Sequence, residues 1–90
     1  MNNKVALVTG GTSGIGKEIV KKLIEKGCKV ITCYSNNEEN AKTLEQEINS
    51  EDLLVLKCDV SKEEEVISLM NQVQEKFGNL DYLVNNAGTF

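Results

Sequence analysis

Four short apolar runs punctuate the chain: Val5-Ala6-Leu7-Val8, Lys29 to Tyr34, Leu53-Leu54-Val55-Leu56 and Tyr82-Leu83-Val84. The first is too short for a helix and too apolar for a loop, which predicts a strand buried on both faces; the second reads as another buried strand, and the third and fourth as strands. Between them the apolar residues return at helical spacing. Ile15, Ile19, Val20, Leu23 and Ile24 form one stripe, opposite Lys17, Glu18, Lys21, Lys22 and Glu25. Ala41, Leu44 and Ile48 form a narrow second stripe, and Val66, Leu69, Met70, Val73 and Phe77 a third. The boundaries carry their own signals. Gly27 and Gly78 stand where helices should stop, and Lys26 suits the negative end of the first helix dipole. Ser35-Asn36-Asn37-Glu38 and Ser61 with Glu64 have capping-box spacing ahead of the second and third helices. Asn49 to Asp52 is a polar break. The order is therefore β-α-β-α-β-α-β with short connections, which implies right-handed crossovers and a parallel sheet with helices on both faces. Ligands of such sheets bind beyond the carboxyl ends of the strands. There the chain places the Gly10 loop, Tyr34-Ser35, Cys58-Asp59-Val60 and Asn85 to Gly88.

Composition narrows the chemistry. Ninety residues make one small domain at most, and 40% hydrophobic with 27% charged residues is ordinary for a soluble globular fold. The net charge of −4, from 14 acidic residues against 10 basic ones that are all lysine, argues against nucleic acid as the partner. No apolar run has membrane-spanning length, and Met1-Asn2-Asn3-Lys4 leads straight into a strand; a cytoplasmic location is expected. Cys28, Cys33 and Cys58 lack the close pairing of a zinc or redox motif and read as reduced, buried thiols. With no histidine, a Ser-His-Asp or Cys-His site within these residues is excluded, and so is the commonest metal ligand.

The glycine turn Thr9-Gly10-Gly11-Thr12-Ser13-Gly14-Ile15-Gly16 lies between a buried strand and a helix. Unpaired N–H groups and the dipole at that helix start favour an anion, and glycines let a phosphate approach bare backbone. Gly11 to Gly16-Lys17 nearly spells the loop of nucleoside triphosphatases. The match fails at Glu18, where a hydroxyl should ligate the metal and where a carboxylate would repel a triphosphate. A methyltransferase would want an acidic residue at the end of the second strand, and Tyr34 stands there instead.

Three motifs together resemble the short-chain dehydrogenases/reductases. Thr9-Gly10-x-x-x-Gly14-Ile15-Gly16 is similar to that family's cofactor loop, Asp59-Val60 to its adenine-contacting pair, and Asn85-Asn86-Ala87-Gly88 to its signature after the fourth strand. The resemblance runs from about Lys4 to Gly88, and the text is most similar to bacterial 3-oxoacyl-[acyl-carrier-protein] reductases. It implies a Rossmann-like, doubly wound parallel sheet with strand order 3-2-1-4, present here as the N-terminal dinucleotide-binding half of a single domain. It implies site roles too. Gly10, Thr12, Ser13, Gly14, Ile15 and Gly16 would hold the pyrophosphate, Asp59 would accept a hydrogen bond from the adenine amino group, and Val60 would pack on the ring. Asn86, Ala87 and Gly88 would follow the ribose, with Tyr34 and Ser35 beside the adenosine; Asn85 reads as a structural tie between strands.

Cofactor choice turns on the end of the second strand, where an acid would bind the ribose 2′-OH of NAD and repel the 2′-phosphate of NADP. Tyr34-Ser35-Asn36 has no acid, so NADP(H) is favoured over NAD(H), with Ser35 and Asn36 as donors. Positive charge is scarce: Ser13 stands where NADP-using relatives often carry arginine, and Glu38 and Glu39 lie close by. In the family a tyrosine, assisted by a lysine, a serine and an asparagine, delivers the proton to the carbonyl. None of these positions has a match in the chain, so no residue carries over as catalytic, and an inactive fragment of an oxidoreductase, the parent a homo-oligomer, is expected. In a 3-2-1-4 sheet the fourth strand would be an edge baring Leu83 and Val84, open to self-association. The alternative is a free-standing dinucleotide-binding or interaction module whose edge pairs with another chain.

Overall fold

A computed structural model describes residues 3–10, 12 and 14–84. Seven elements follow in order: β1 (Val5–Thr9), α1 (Gly14–Glu25), β2 (Lys29–Tyr34), α2 (Glu38–Ile48), β3 (Leu53–Lys57), α3 (Glu63–Phe77) and β4 (Tyr82–Val84). The four strands form one parallel sheet in the order β3-β2-β1-β4, a Rossmann-like α/β arrangement. The central pair is the most deeply covered. All five β1 residues are buried, as are Val30, Ile31, Thr32 and Cys33 of β2. These are the runs that lack the apolar/polar alternation of a half-exposed strand.

Strand alternation sorts the core into two layers. Val5, Leu7, Ile31 and Cys33 point to the α3 side and pack with Cys58, Leu69 and Val73. Val8 and Val30 point the other way, to Val20 of α1, Cys28 and Leu44 of α2. Fully burying each of the larger side chains, such as Ile31 and Leu44, contributes roughly 1.5–3 kcal/mol. Polar groups inside the sheet are tied down. The Thr32 hydroxyl donates to the Val8 carbonyl at 2.6 Å, and the Val5 N–H donates to Asp81 Oδ2 at 2.9 Å while the Asp81 N–H returns to the Val5 carbonyl at 2.8 Å. The second exchange clamps the start of β4 to β1. On the outer side of α1 and α2, Glu47 receives Lys17 at 3.1 Å and Lys21 at 2.8 Å, an exposed pairing that holds the two helices in register.

Four local expectations are corrected. The second helix is capped by Asn37, whose side chain accepts from the Asn40 N–H, so it begins two residues later than a cap at Ser35 would place it. The third helix has Lys62 at its cap with no side-chain bond, one residue beyond Ser61, whose hydroxyl donates to Asp59 Oδ1 within the preceding turn. Ile15 is 76% exposed: it sits in the first turn of α1, off the stripe that packs on the sheet. Met70 and the Tyr82 ring are also partly exposed, Met70 at the margin of the α3 stripe and Tyr82 at the start of the outer strand.

Candidate functional site

Because the strands are parallel, their carboxyl ends share one edge of the sheet. Thr9 pairs with Cys33, and Cys33 with Leu56, so Gly10, Tyr34-Ser35 and Cys58-Asp59-Val60 leave the sheet side by side. The Cys58 N–H still donates to the Tyr34 carbonyl at 2.8 Å, extending the ladder to the brink of the turn. Two strand spacings separate Gly10 from Asp59, roughly 10 Å, a span of the order of a nucleoside.

The glycine loop owes its shape to backbone conformations that side chains resist. Gly10 has φ +67° and Gly14 φ +58°, both in the left-handed region. A Cβ built on Gly14 would meet nothing within 4 Å, so the turn leaves an open cradle beside that residue. Gly16 is buried, where the helix closes on the sheet, and Thr12 is buried as well. Ile15 stands exposed at the mouth of the cradle. Beneath the loop the Gly10 N–H donates to the Cys33 thiol; burial pushes that thiol up, and the amide bond only partly offsets it. The Cys58 thiol is raised too, by burial first and then by its neighbours Cys33, Glu65 and Asp59. All three cysteines are free and buried, and these two fill space under the site as protonated groups.

The β3–α3 turn is built around Asp59. Its Oδ1 accepts from the Ser61 N–H at 3.0 Å and the Ser61 hydroxyl at 2.6 Å, and its carbonyl accepts from the Lys62 N–H at 3.0 Å. Its own N–H donates to Glu65 Oε1 at 2.9 Å. The Ser61 bonds hold the Asp59 carboxyl below its ordinary value, so at neutral pH it is ionised and accepts only. Val60 is partly buried against the α3-side core. Tyr34 is half-buried and Ser35 exposed at the end of β2.

The structure thus brings Gly10, Thr12, Gly14, Ile15, Gly16, Tyr34, Ser35, Asp59 and Val60 to one edge. Ser13, Asn86, Ala87 and Gly88 lie outside the described residues. Glu65 was not legible as part of this turn. It sits six positions beyond Asp59 among three consecutive glutamates, and its reach back depends on where the turn puts the Asp59 amide. The groove lined by Glu45, Asn49, Ser50, Glu51 and Leu53 opens at the opposite edge, where β3 begins. Among the described residues no group of side chains could hold a metal ion, and no helix is long and apolar enough to cross a membrane.

A parallel 3-2-1-4 sheet with a glycine cradle at the first helix start, and an acceptor two strands away, defines a Rossmann fold of the NAD(P)-binding class. The family model described as short chain dehydrogenase matches residues 4–90, and the chain belongs to that family. It is similar to L-fucose dehydrogenase of Bos taurus, 41% identical over 85 residues, covering 94% of this chain and 30% of that protein. Carbonyl reductase family member 4 of Xenopus laevis is 44% identical over 86 residues, covering 96% of this chain and 35% of the relative. Among solved structures, a variant of actinorhodin polyketide ketoreductase with NADPH superposes with a TM-score of 0.87 at 41% identity, over 96% of this chain and 33% of that one. The chain spans about a third of the length of each of these proteins.

Proposed function

We propose that the chain is the N-terminal, cofactor-holding half of an NADPH-dependent carbonyl reductase of the 3-oxoacyl-[acyl-carrier-protein] reductase kind, and that its ninety residues bind the dinucleotide without turning over substrate. The observation that carries this is the convergence of the glycine cradle and the Asp59 turn on one sheet edge. The residues suit the guest. The space beside Gly14 at the start of α1 is open, a diphosphate there would meet the first-turn amides, and the exposed Ile15 gives the rim an apolar surface. Asp59 offers an ionised acceptor to the adenine amino group and Val60 an apolar face to its ring. Thr12 and Ser13 belong to the diphosphate loop, with Asn86, Ala87 and Gly88 along the ribose. When bound, NADPH supplies the hydride that reduces a carbonyl carbon; these residues bind and orient it.

Preference for NADP(H) over NAD(H) rests on Tyr34-Ser35-Asn36. No carboxylate there competes with a 2′-phosphate, and Ser35 and Asn36 are exposed donors, while Asn37 is occupied as the cap of α2. Similarity to a ketoreductase solved with NADPH supports the same reading. A cytoplasmic, homo-oligomeric parent belongs to the same proposal. So does self-association through β4, supported by Leu83, 63% exposed on the outer strand. Calorimetric titration with NADPH, NADH and ATP with magnesium tests the reading. NADPH is expected to bind tighter than NADH; binding of ATP with magnesium in place of either dinucleotide would refute it.

A further inference from the structure

Asp59 is held on every side but one. Its carbonyl is taken by Lys62, its N–H by Glu65, and its Oδ1 twice by Ser61. Among the described residues no hydrogen bond engages Oδ2. The partners all come from the five-residue stretch Ser61 to Glu65 at the mouth of α3. Glu65 is itself braced, its second oxygen 3.7 Å from the Lys62 ammonium, and it is part-buried, whereas Ser61 lies on the surface.

From this arrangement we infer that Glu65 and Ser61 are positioning residues. They fix the Asp59 backbone and one carboxylate oxygen so that the remaining oxygen presents an acceptor-only edge that selects a purine bearing an amino group over one bearing a carbonyl at that position. The inference rests on the reading of Asp59 as the adenine contact. Its physical basis is hydrogen-bond polarity. An ionised carboxylate cannot donate. A carboxylate with both oxygens free could rotate to leave a carbonyl-bearing base facing solvent or the Ser61 donors. With Oδ1 saturated by two bonds from Ser61, rotation breaks both of them. The Glu65 bond acts one step back, since it holds the peptide plane from which the Asp59 side chain springs.

The test compares NADPH with its hypoxanthine analogue, whose base carries a carbonyl where adenine has its amino group. Calorimetry gives the ratio of the two dissociation constants. For the unaltered protein a preference for the adenine form of about tenfold or more is expected, the size of one hydrogen bond to a charged acceptor. In Asp59→Asn the ratio falls to near one, because an amide both donates and accepts. In Glu65→Ala the ratio is expected to fall about 3- to 10-fold, and Glu65→Gln, which keeps an acceptor oxygen for the Asp59 N–H, restores it to within about twofold. Ser61→Ala, an exposed position that leaves the backbone bond in place, should lower the ratio about 2- to 5-fold. A Glu65→Ala protein that weakens both ligands equally, while Asp59→Asn abolishes discrimination, overturns the positioning role and leaves the Asp59 reading intact. An unchanged ratio in Asp59→Asn overturns both.

Discussion

Gly14 offers a test in which stability and binding part company. Its φ of +58° costs an L-residue about 1–2 kcal/mol, yet a Cβ there would touch nothing within 4 Å. Gly14→Ala should therefore lose only that conformational term. For a domain of this size each kcal/mol lowers Tm by about 4–8 °C. The same methyl group stands in the space assigned to the diphosphate. Pushing a phosphate away from the first-turn amides forfeits at least one hydrogen bond to a charged group, about 1.5–3 kcal/mol, or about a 10- to 150-fold weaker dissociation constant. Gly78 supplies a matched control. It too has a positive φ, +83° with ψ −133°, and open space around a built Cβ, but it closes α3 far from the cradle. Gly78→Ala should cost of order 1–3 kcal/mol of stability and leave affinity within about twofold at temperatures where the protein is folded. Thermal unfolding by circular dichroism and calorimetric titration with NADPH read the two quantities separately. Equal loss of affinity in the two variants, or full affinity in Gly14→Ala, would show that the diphosphate does not lie over the α1 start.

Three further outcomes follow from the packing and the charges. Thr32→Val removes the 2.6 Å bond from a fully buried hydroxyl to the Val8 carbonyl, and a loss of about 1–2 kcal/mol is expected in urea unfolding. Since Ser61 holds the Asp59 carboxyl below its ordinary 3.8, that group stabilises the fold fully above this value and ceases to do so as pH falls through its lowered folded value. The urea midpoint of Asp59→Asn should accordingly lie below that of the unaltered protein at pH 6 and converge with it towards pH 2. Leu83→Lys places a charge on the exposed outer strand; sedimentation should show a smaller self-associated fraction with the unfolding midpoint little changed.

The local sequence was enough for the seven elements and their order. Apolar runs with no alternation can be satisfied only inside a parallel sheet, and glycines before a helix leave few other backbone paths. Helix starts were harder to read. Ser61 has the spacing of a cap, but the helix starts one residue later with Lys62 at its cap, and the Ser61 hydroxyl donates instead to Asp59 in the turn. Ile15 fits the apolar stripe by number, although the helix start carries it beyond the strands that would have covered it. Periodicity describes a cylinder and does not know where the sheet ends.

What the chain determined alone was which stretches become strand, turn and helix, because backbone freedom and hydrophobic spacing are local properties. Only the folded molecule decided that Glu65 reaches the Asp59 amide, that Cys33 lies beneath the Gly10 loop, and that the cradle stays open. These are meetings between residues distant in sequence or aimed by a turn, and their energies depend on separations that no spacing along the chain encodes.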